Sequence, residues 1–452
     1  MTTASLGENK MGTMPMNKLF LTMAPPVVLS MSVQALYTMV DSIFVSRISE
    51  SALTATTLAL PIITMIVALG EGIAVGMNAM LSKALGSRNQ AAAKDSTAAA
   101  IFLAVICYLF TLLLCFSAVG AYLHTQTSSA EVFAGGKTYL SICMGLSFGM
   151  FGQVIFERML ISTGKTMYSM ITQATGAIIN IILDPILIFG YFGLPELGIA
   201  GAAIATVIGQ IVACILALIF NLKKNKEIEI EFTLAPKGYA IKQVLIVGIP
   251  TTLMSAVTSI MFVGYNTILG KFSSTAVAVF GICRSVTTFF YMLIRAFGSV
   301  LIPIIAYNFG AKNKTRIDKA IKLGFIYGVS IMAVGTLVFM IFTVPILKLF
   351  NASEEMMSIG VVGIRLLTLP FMVVAVKDIS GAIMQSLGYA TGSMIVTITR
   401  HLILLLPLAY LFSLTGNLDL VWISVPIADV LACVVAVVLV MRLYRKEIAT
   451  LG

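Results

Sequence analysis

Charge is what this 452-residue chain has least of: 11% of its residues are Asp, Glu, Lys or Arg. Soluble domains carry about a quarter, so a water-soluble globular fold is excluded. Two histidines and one tryptophan leave little for imidazole-based metal or proton-relay chemistry. The six cysteines, Cys107, Cys115, Cys143, Cys214, Cys283 and Cys433, fall at unrelated spacings inside apolar runs. They read as small packing side chains rather than a metal site or a disulfide framework. No G-x-x-x-x-G-K-[ST] phosphate loop occurs, and no loop is long enough to hold a nucleotide-binding domain. ATP hydrolysis is therefore not expected, nor is an ATPase subunit implied. An integral membrane enzyme would need a clustered nucleophile, base or metal site, which the sequence does not offer. The polar stretch Met1–Lys18 leads into a full-length apolar run and so lacks the form of a secretory signal.

What the chain has instead is apolar length. Hydrophobic residues make up 59% of it, with a mean hydropathy of +1.02. Apolar runs long enough to cross a bilayer lie at 18–43, 54–82, 97–122, 138–162, 168–192, 197–222, 243–270, 275–307, 318–350, 358–386, 393–414 and 420–443. The net charge of +10 could suggest nucleic acid, but its placement argues against that. Lys83, Arg88 and Lys94 follow the second run, and Lys223, Lys224, Lys226, Lys237 and Lys242 follow the sixth. Lys312, Lys314, Arg316, Lys319 and Lys322 follow the eighth, and Arg442, Arg445 and Lys446 close the chain. The positive-inside rule then places both termini in the cytoplasm of a multi-pass protein of the cell membrane.

The chain also repeats itself. A shift of 224 residues lays Pro26 on Pro250, Ser49 on Ser273, Gly86 on Gly310, Asn89 on Asn313, Ser162 on Ser386 and Gly164 on Gly388. The hydrophilic stretch 223–242 divides the copies. The expected organisation is an all-α membrane protein with an amino-terminal six-helix lobe (1–222), a basic cytoplasmic linker (223–242) and a carboxy-terminal six-helix lobe (243–452). Six is even, so both halves enter from one side and a pseudo-two-fold along the membrane normal relates them. A central site between such repeats is a transporter arrangement.

The repeat breaks where acids enter the membrane. Asp41 meets Tyr265, Asn180 meets Leu404 and Asp184 meets Leu408. An acid at the centre of a membrane helix costs about 2.5–3.5 kcal/mol on insertion scales, and normally faces protein or water. Gln34, Tyr37, Thr38 and Asp41 lie on one stripe of the first span, and Gln173, Gly176, Asn180 and Asp184 on one stripe of the fifth. If those helices meet, two carboxylates and an amide converge in a set that suits Na⁺ or a shared proton. The plainer alternative is that each polar residue only hydrogen-bonds a neighbouring helix. Pro185 removes a backbone donor beside Asp184, and Pro26, after Pro25, makes the first helix a candidate for bending. Glu71 is matched at the repeat shift by Arg295, opposite signs that suggest a structural or gating contact. Lys377 and Asp378 read as an internal pair in the tenth span, and Arg400, His401 and Asp429 as bundle-facing groups.

At these residues the chain resembles the multidrug and toxic compound extrusion (MATE) family, in its bacterial drug-efflux branch. The matching pieces are Asp41 to Ile48, Ala52-Leu53, Ala84 to Arg88, Asn180 with Asp184-Pro185, Gly198 to Thr206, and Pro426 to Asp429. The resemblance covers nearly the whole chain and implies a monomeric, polyspecific exporter of lipophilic organic cations, driven by inward Na⁺ or H⁺ through alternating access. No cofactor beyond that ion is implied. Carried over residue by residue, the cation-coupling site is Asp41, Asn180 and Asp184, with Thr206 added; Gln34, Tyr37 and Gln173 are cavity candidates. Some members use an acid on helix seven or ten instead. Here Thr251 to Gly270 holds no acid, and Asp378 is displaced from the matching position, which falls nearer Val376. The alternatives are a lipid-linked oligosaccharide flippase of the same superfamily, which typically carries more spans and a strongly cationic cavity, or an exporter of an anionic or peptide metabolite.

Overall fold

The computed structural model describes residues 9–350 and 352–451, and every regular element among them is helical. The chain forms two compact units, Met1–Ile249 and Pro250–Gly452. The first contains α1 (Lys10–Thr13), α2 (Met16–Ser46), α3 (Glu50–Gly86), α4 (Gln90–Ser117), α5 (Val119–Gln126), α6 (Ala130–Gly145), α7 (Phe148–Ser162), α8 (Thr166–Phe189) and α9 (Ile199–Lys224). Helix α10 (Gly238–Gly270) runs unbroken across the boundary. The second unit continues with α11 (Ser274–Gly310), α12 (Lys314–Leu349), α13 (Glu354–Thr368), α14 (Phe371–Ser386), α15 (Ala390–Ile398), a π-helical turn (Thr399–Leu405), α16 (Leu406–Ser413) and α17 (Leu418–Leu443).

Among the described residues, ten helices are long and apolar enough to cross a membrane, and the number reaches twelve when each of two bent pairs, α6–α7 (47°) and α13–α14 (41°), counts as one span. Twelve spans in two halves of six is the expected architecture. The bends are not what the uninterrupted apolar runs 138–162 and 358–386 suggested. Between α13 and α14 stands Pro370, whose ring removes a backbone donor and crowds the residue before it. Between α6 and α7 both the amide and the hydroxyl of Ser147 turn back to the carbonyl of Met144, at 3.3 and 2.8 Å.

The repeat seen in the sequence is a repeat of helix ends. Ser49 and Ser273 each accept from the amide three residues on (Ala52 and Ala276, both at 3.0 Å), capping α3 and α11. Those helices end the same way. Arg88 (φ 57°) and Lys312 (φ 53°) are left-handed, and the next amide reaches back across the turn, Asn89 to Ala84 and Asn313 to Asn308, both at 2.9 Å. This closes the orphan carbonyls of the last turn. Asn89 and Asn313 then cap α4 and α12. Gly164 (φ 80°) and Gly388 (φ 84°) close α7 and α14 likewise, with Lys165 bonding Leu160 and Tyr389 bonding Met384. Glycine alone takes this conformation without strain.

The hydrophilic stretch between the halves is pinned to the first unit rather than freely solvated. Lys165 pairs with Glu227 at 2.8 Å, Lys237 with Asp95 at 3.1 Å, and Lys94 lies 3.5 Å from Glu231. Ile228 is buried beside them.

Candidate functional site

Close backbone packing builds the site in the first unit. A Cβ on Gly176 of α8 would stand 2.8 Å from the carbonyl oxygen of Gly209 on α9, and one on Gly209 would stand 2.7 Å from that of Gly176. Two to three turns further along the same pair, a Cβ at Gly201 would meet the carbonyl of Leu187 at 2.5 Å. Only glycine fits such approaches, and they set α8 against α9 along the stripe that carries Asn180 and Asp184. The Asn180 Nδ2 group consequently donates to Asp184 Oδ1 and to Thr206 Oγ1, both at 3.3 Å. Asn180 and Asp184 are 2% and 0% exposed.

Helix α2 packs along α8 and brings Asp41 close enough for its charge to act on Asp184. Tyr37, Tyr139 and Cys143 belong to the same neighbourhood. Among the described residues, three oxygens here are buried without a hydrogen-bond partner: Asp41 Oδ1, Asn180 Oδ1 and Asp184 Oδ2. An orphaned buried acceptor costs about 1–3 kcal/mol. Three such oxygens in one place can accept a small hard cation, and the carboxylates among them can accept a proton.

The structure therefore gathers Asp41, Asn180, Asp184 and Thr206, with Tyr37 at their edge. Gln173 is buried elsewhere on α8, where its Oε1 accepts from Gln153 Nε2 at 2.8 Å. Gln34 is exposed on α2. Pro26 is buried within a continuous α2. The partner of Glu71 is Arg158 of α7, at 2.5 Å, a residue of its own unit and not the Arg295 that the repeat shift suggested. Arg295 is exposed on α11.

The sequence reading overlooked Gln153, Glu157 and Arg158, all on α7. Glu157 Oε1 accepts from Gln153 Nε2 at 3.1 Å and lies 2.9 Å from Thr172 Oγ1. The signal was available. Gln153 and Glu157 are four apart inside an apolar run, the same stripe logic that singled out Asn180 and Asp184.

The second unit handles its charges differently. Asp429 of α17, 1% exposed, is gripped bidentately by Arg400, with Nε–Oδ1 at 2.5 Å and Nη2–Oδ2 at 3.0 Å. Lys377 sits 3.7 Å from the same carboxylate and 3.3 Å from Asp378. Arg400 projects from the π-helical turn, a local widening common at functional sites. Both membrane acids of this unit thus already hold side-chain cations. Asp41, Asp184 and Glu157 of the first unit hold none among the described residues.

A family model described as MatE matches residues 26–186 and 250–411, one block in each half. The multidrug export protein MepA of Staphylococcus aureus is 24% identical over 441 residues, covering 96% of this chain and 95% of that protein. Its namesake in Staphylococcus saprophyticus is 24% identical over 425 residues, covering 94% and 93%. Among solved structures, an outward-facing multidrug resistance MATE family transporter of the MOP superfamily superposes with a TM-score of 0.90 at 22% identity, covering 99% of each chain. A MOP superfamily transporter from Pyrococcus furiosus, described as having a binding pocket of reversed polarity, gives 0.87 at 23% identity, covering 98% of each.

Proposed function

The chain belongs to the MatE family of membrane transporters, and from that premise we propose that it is a secondary active multidrug exporter, expelling lipophilic organic cations in exchange for inward Na⁺ or H⁺. The observation that carries this reading is the imbalance between the units: unpaired carboxylates with orphaned oxygens in the first, acids already neutralised by Arg400 and Lys377 in the second. The coupling ion binds at Asp41, Asn180 and Asp184, with Thr206 orienting the Asn180 amide. The organic cation is attracted to the same half by its charge.

Exchange follows from competition. With the carboxylates ionised, the first unit attracts an organic cation. Once Na⁺ or H⁺ neutralises them, that attraction is lost and the drug leaves. Only such a difference in affinity between states can drive alternating access. The protein sits in the cytoplasmic membrane with both termini inside, works as a monomer and needs no nucleic acid or ATPase partner.

Everted vesicles given a fluorescent dye in the external medium, with Na⁺ and pH gradients imposed separately and dye uptake into the lumen followed, test this reading. Asp41→Asn and Asp184→Asn are each expected to slow gradient-driven transport at least about tenfold, equivalent to about 1.4 kcal/mol, with the protein still in the membrane. Undiminished transport by both variants, or wild-type transport that responds to neither gradient, defeats the proposal.

A further inference from the structure

Glu157 has no part in the coupling-ion site, yet its surroundings are those of a group that gains and loses a proton. Thr172 Oγ1 lies 2.9 Å from Glu157 Oε1 and also 2.7 Å from the carbonyl of Ser169. A hydroxyl has one hydrogen to donate. When it goes to Ser169, the shorter contact, Thr172 can only accept, and the hydrogen shared with Glu157 must come from the carboxyl group. When Glu157 is ionised, the hydroxyl rotates and donates to Oε1. Gln153 serves both states, since its two amide hydrogens reach Glu157 Oε1 at 3.1 Å and Gln173 Oε1 at 2.8 Å. Thr172 is fully buried and the two glutamines nearly so, so this collar is fixed. The second oxygen, Oε2, has no hydrogen bond among the described residues, and it is not one of the atoms sealed from solvent.

The charged groups nearby do not neutralise Glu157. Arg158 and Glu71 act on it but are paired with each other. Tyr37 of α2 and Cys214 of α9 are its other titratable neighbours. Helix α8 presents Thr172 and Gln173, and the charged residues of α4, Lys94 and Asp95, are engaged by the interdomain stretch.

We propose that Glu157 is a proton-exchanging carboxylate that binds the charged centre of a monovalent lipophilic cation, a quaternary ammonium or phosphonium, at a place separate from the coupling ion. This rests on the exporter reading. On binding, the Oε1–H bond breaks, the proton passes to water, and the organic cation takes its place beside the carboxylate; release reverses the exchange. The net charge of the occupied site is the same in both states.

Titration calorimetry of the detergent-purified full chain with tetraphenylphosphonium, in buffers of different ionisation enthalpy, counts the protons released per cation bound. Wild-type protein is expected to release protons and to bind more weakly as pH falls. E157Q, close to isosteric, should bind about tenfold more weakly, a change of about 1.4 kcal/mol, and lose its share of the release; E157D should restore the release. In a D41N/D184N background, where the coupling carboxylates cannot titrate, release should persist and should vanish when E157Q is added. Wild-type affinity and proton release in E157Q overturn the assignment of Glu157 while leaving the exporter reading intact. A wild-type protein that binds no tetraphenylphosphonium overturns both.

Discussion

At the scale of single residues, the two units spend buried charge in opposite ways. Asp429 is held bidentately by Arg400 and approached by Lys377, so its charge is matched inside the protein. Removing one member of such a buried pair strands the other and costs about 3–5 kcal/mol, while replacing both with apolar residues is often neutral. Arg400→Met is therefore expected to lower the thermal stability of the purified protein by an amount toward the lower end of that range, because Lys377 remains as a partial partner. The double variant Arg400→Met, Asp429→Met should recover most of the loss. Melting curves for the three proteins decide it; a double variant as unstable as the single one shows that the pair does more than neutralise itself.

Glu157 and Arg158 show why some of the site was not legible from sequence. An adjacent acid and base in one apolar run suggest a local pair, whereas the fold sends Arg158 to Glu71, 87 residues away, and leaves Glu157 to hydroxyl and amide partners. Which of two neighbouring charges finds the distant partner depends on the rotation of α7 against α3. No periodicity records that. Asp41, Asn180 and Asp184 were legible because they extend polar stripes inside otherwise apolar spans, with Gln34, Tyr37 and Thr38 in one helix and Gln173 in the other.

At the scale of helices, glycines decide where the polar groups meet. The Gly176–Gly209 crossing places α8 backbone against α9 backbone and so brings Asn180 within reach of Thr206. A methyl at Gly209 has no space and must wedge the helices apart. Gly209→Ala is expected to weaken coupling-ion binding by about tenfold, roughly 1.4 kcal/mol, although it touches neither carboxylate. Gly281 of α11, where an added Cβ meets nothing within 4 Å, is the matching control: Gly281→Ala should be neutral or stabilise by up to about 1 kcal/mol. Ion-dependent protection against heat, measured on both variants, tests the pair, and equal protection would show that the crossing does not position the site. Helix ends were readable at this scale because Ser, Asn and Gly recur at fixed offsets with a local mechanism. The bends between α6 and α7 and between α13 and α14 were not, since a break of two residues leaves the hydropathy of the run unchanged.

At the scale of the whole molecule, the direction of transport depends on which side of the membrane the basic loops face. Lys83, Arg88 and Lys94 at one end of α3 and α4, the cluster at 312–322, and Arg442, Arg445 and Lys446 at the end of the chain share one side if the spans number twelve. Arginine and lysine are retained on the cytoplasmic side during insertion, so the proposed orientation puts that side inside. The opposite ends, near Glu131 at the start of α6, then face out. In a background with all six native cysteines replaced, Glu131→Cys is expected to react with an impermeant maleimide in intact cells. Lys226→Cys should react only in everted vesicles. The reverse pattern would invert the chain and make the same competition between organic cation and coupling ion drive uptake, so labelling of these two positions separates an exporter from an importer before any transport is measured.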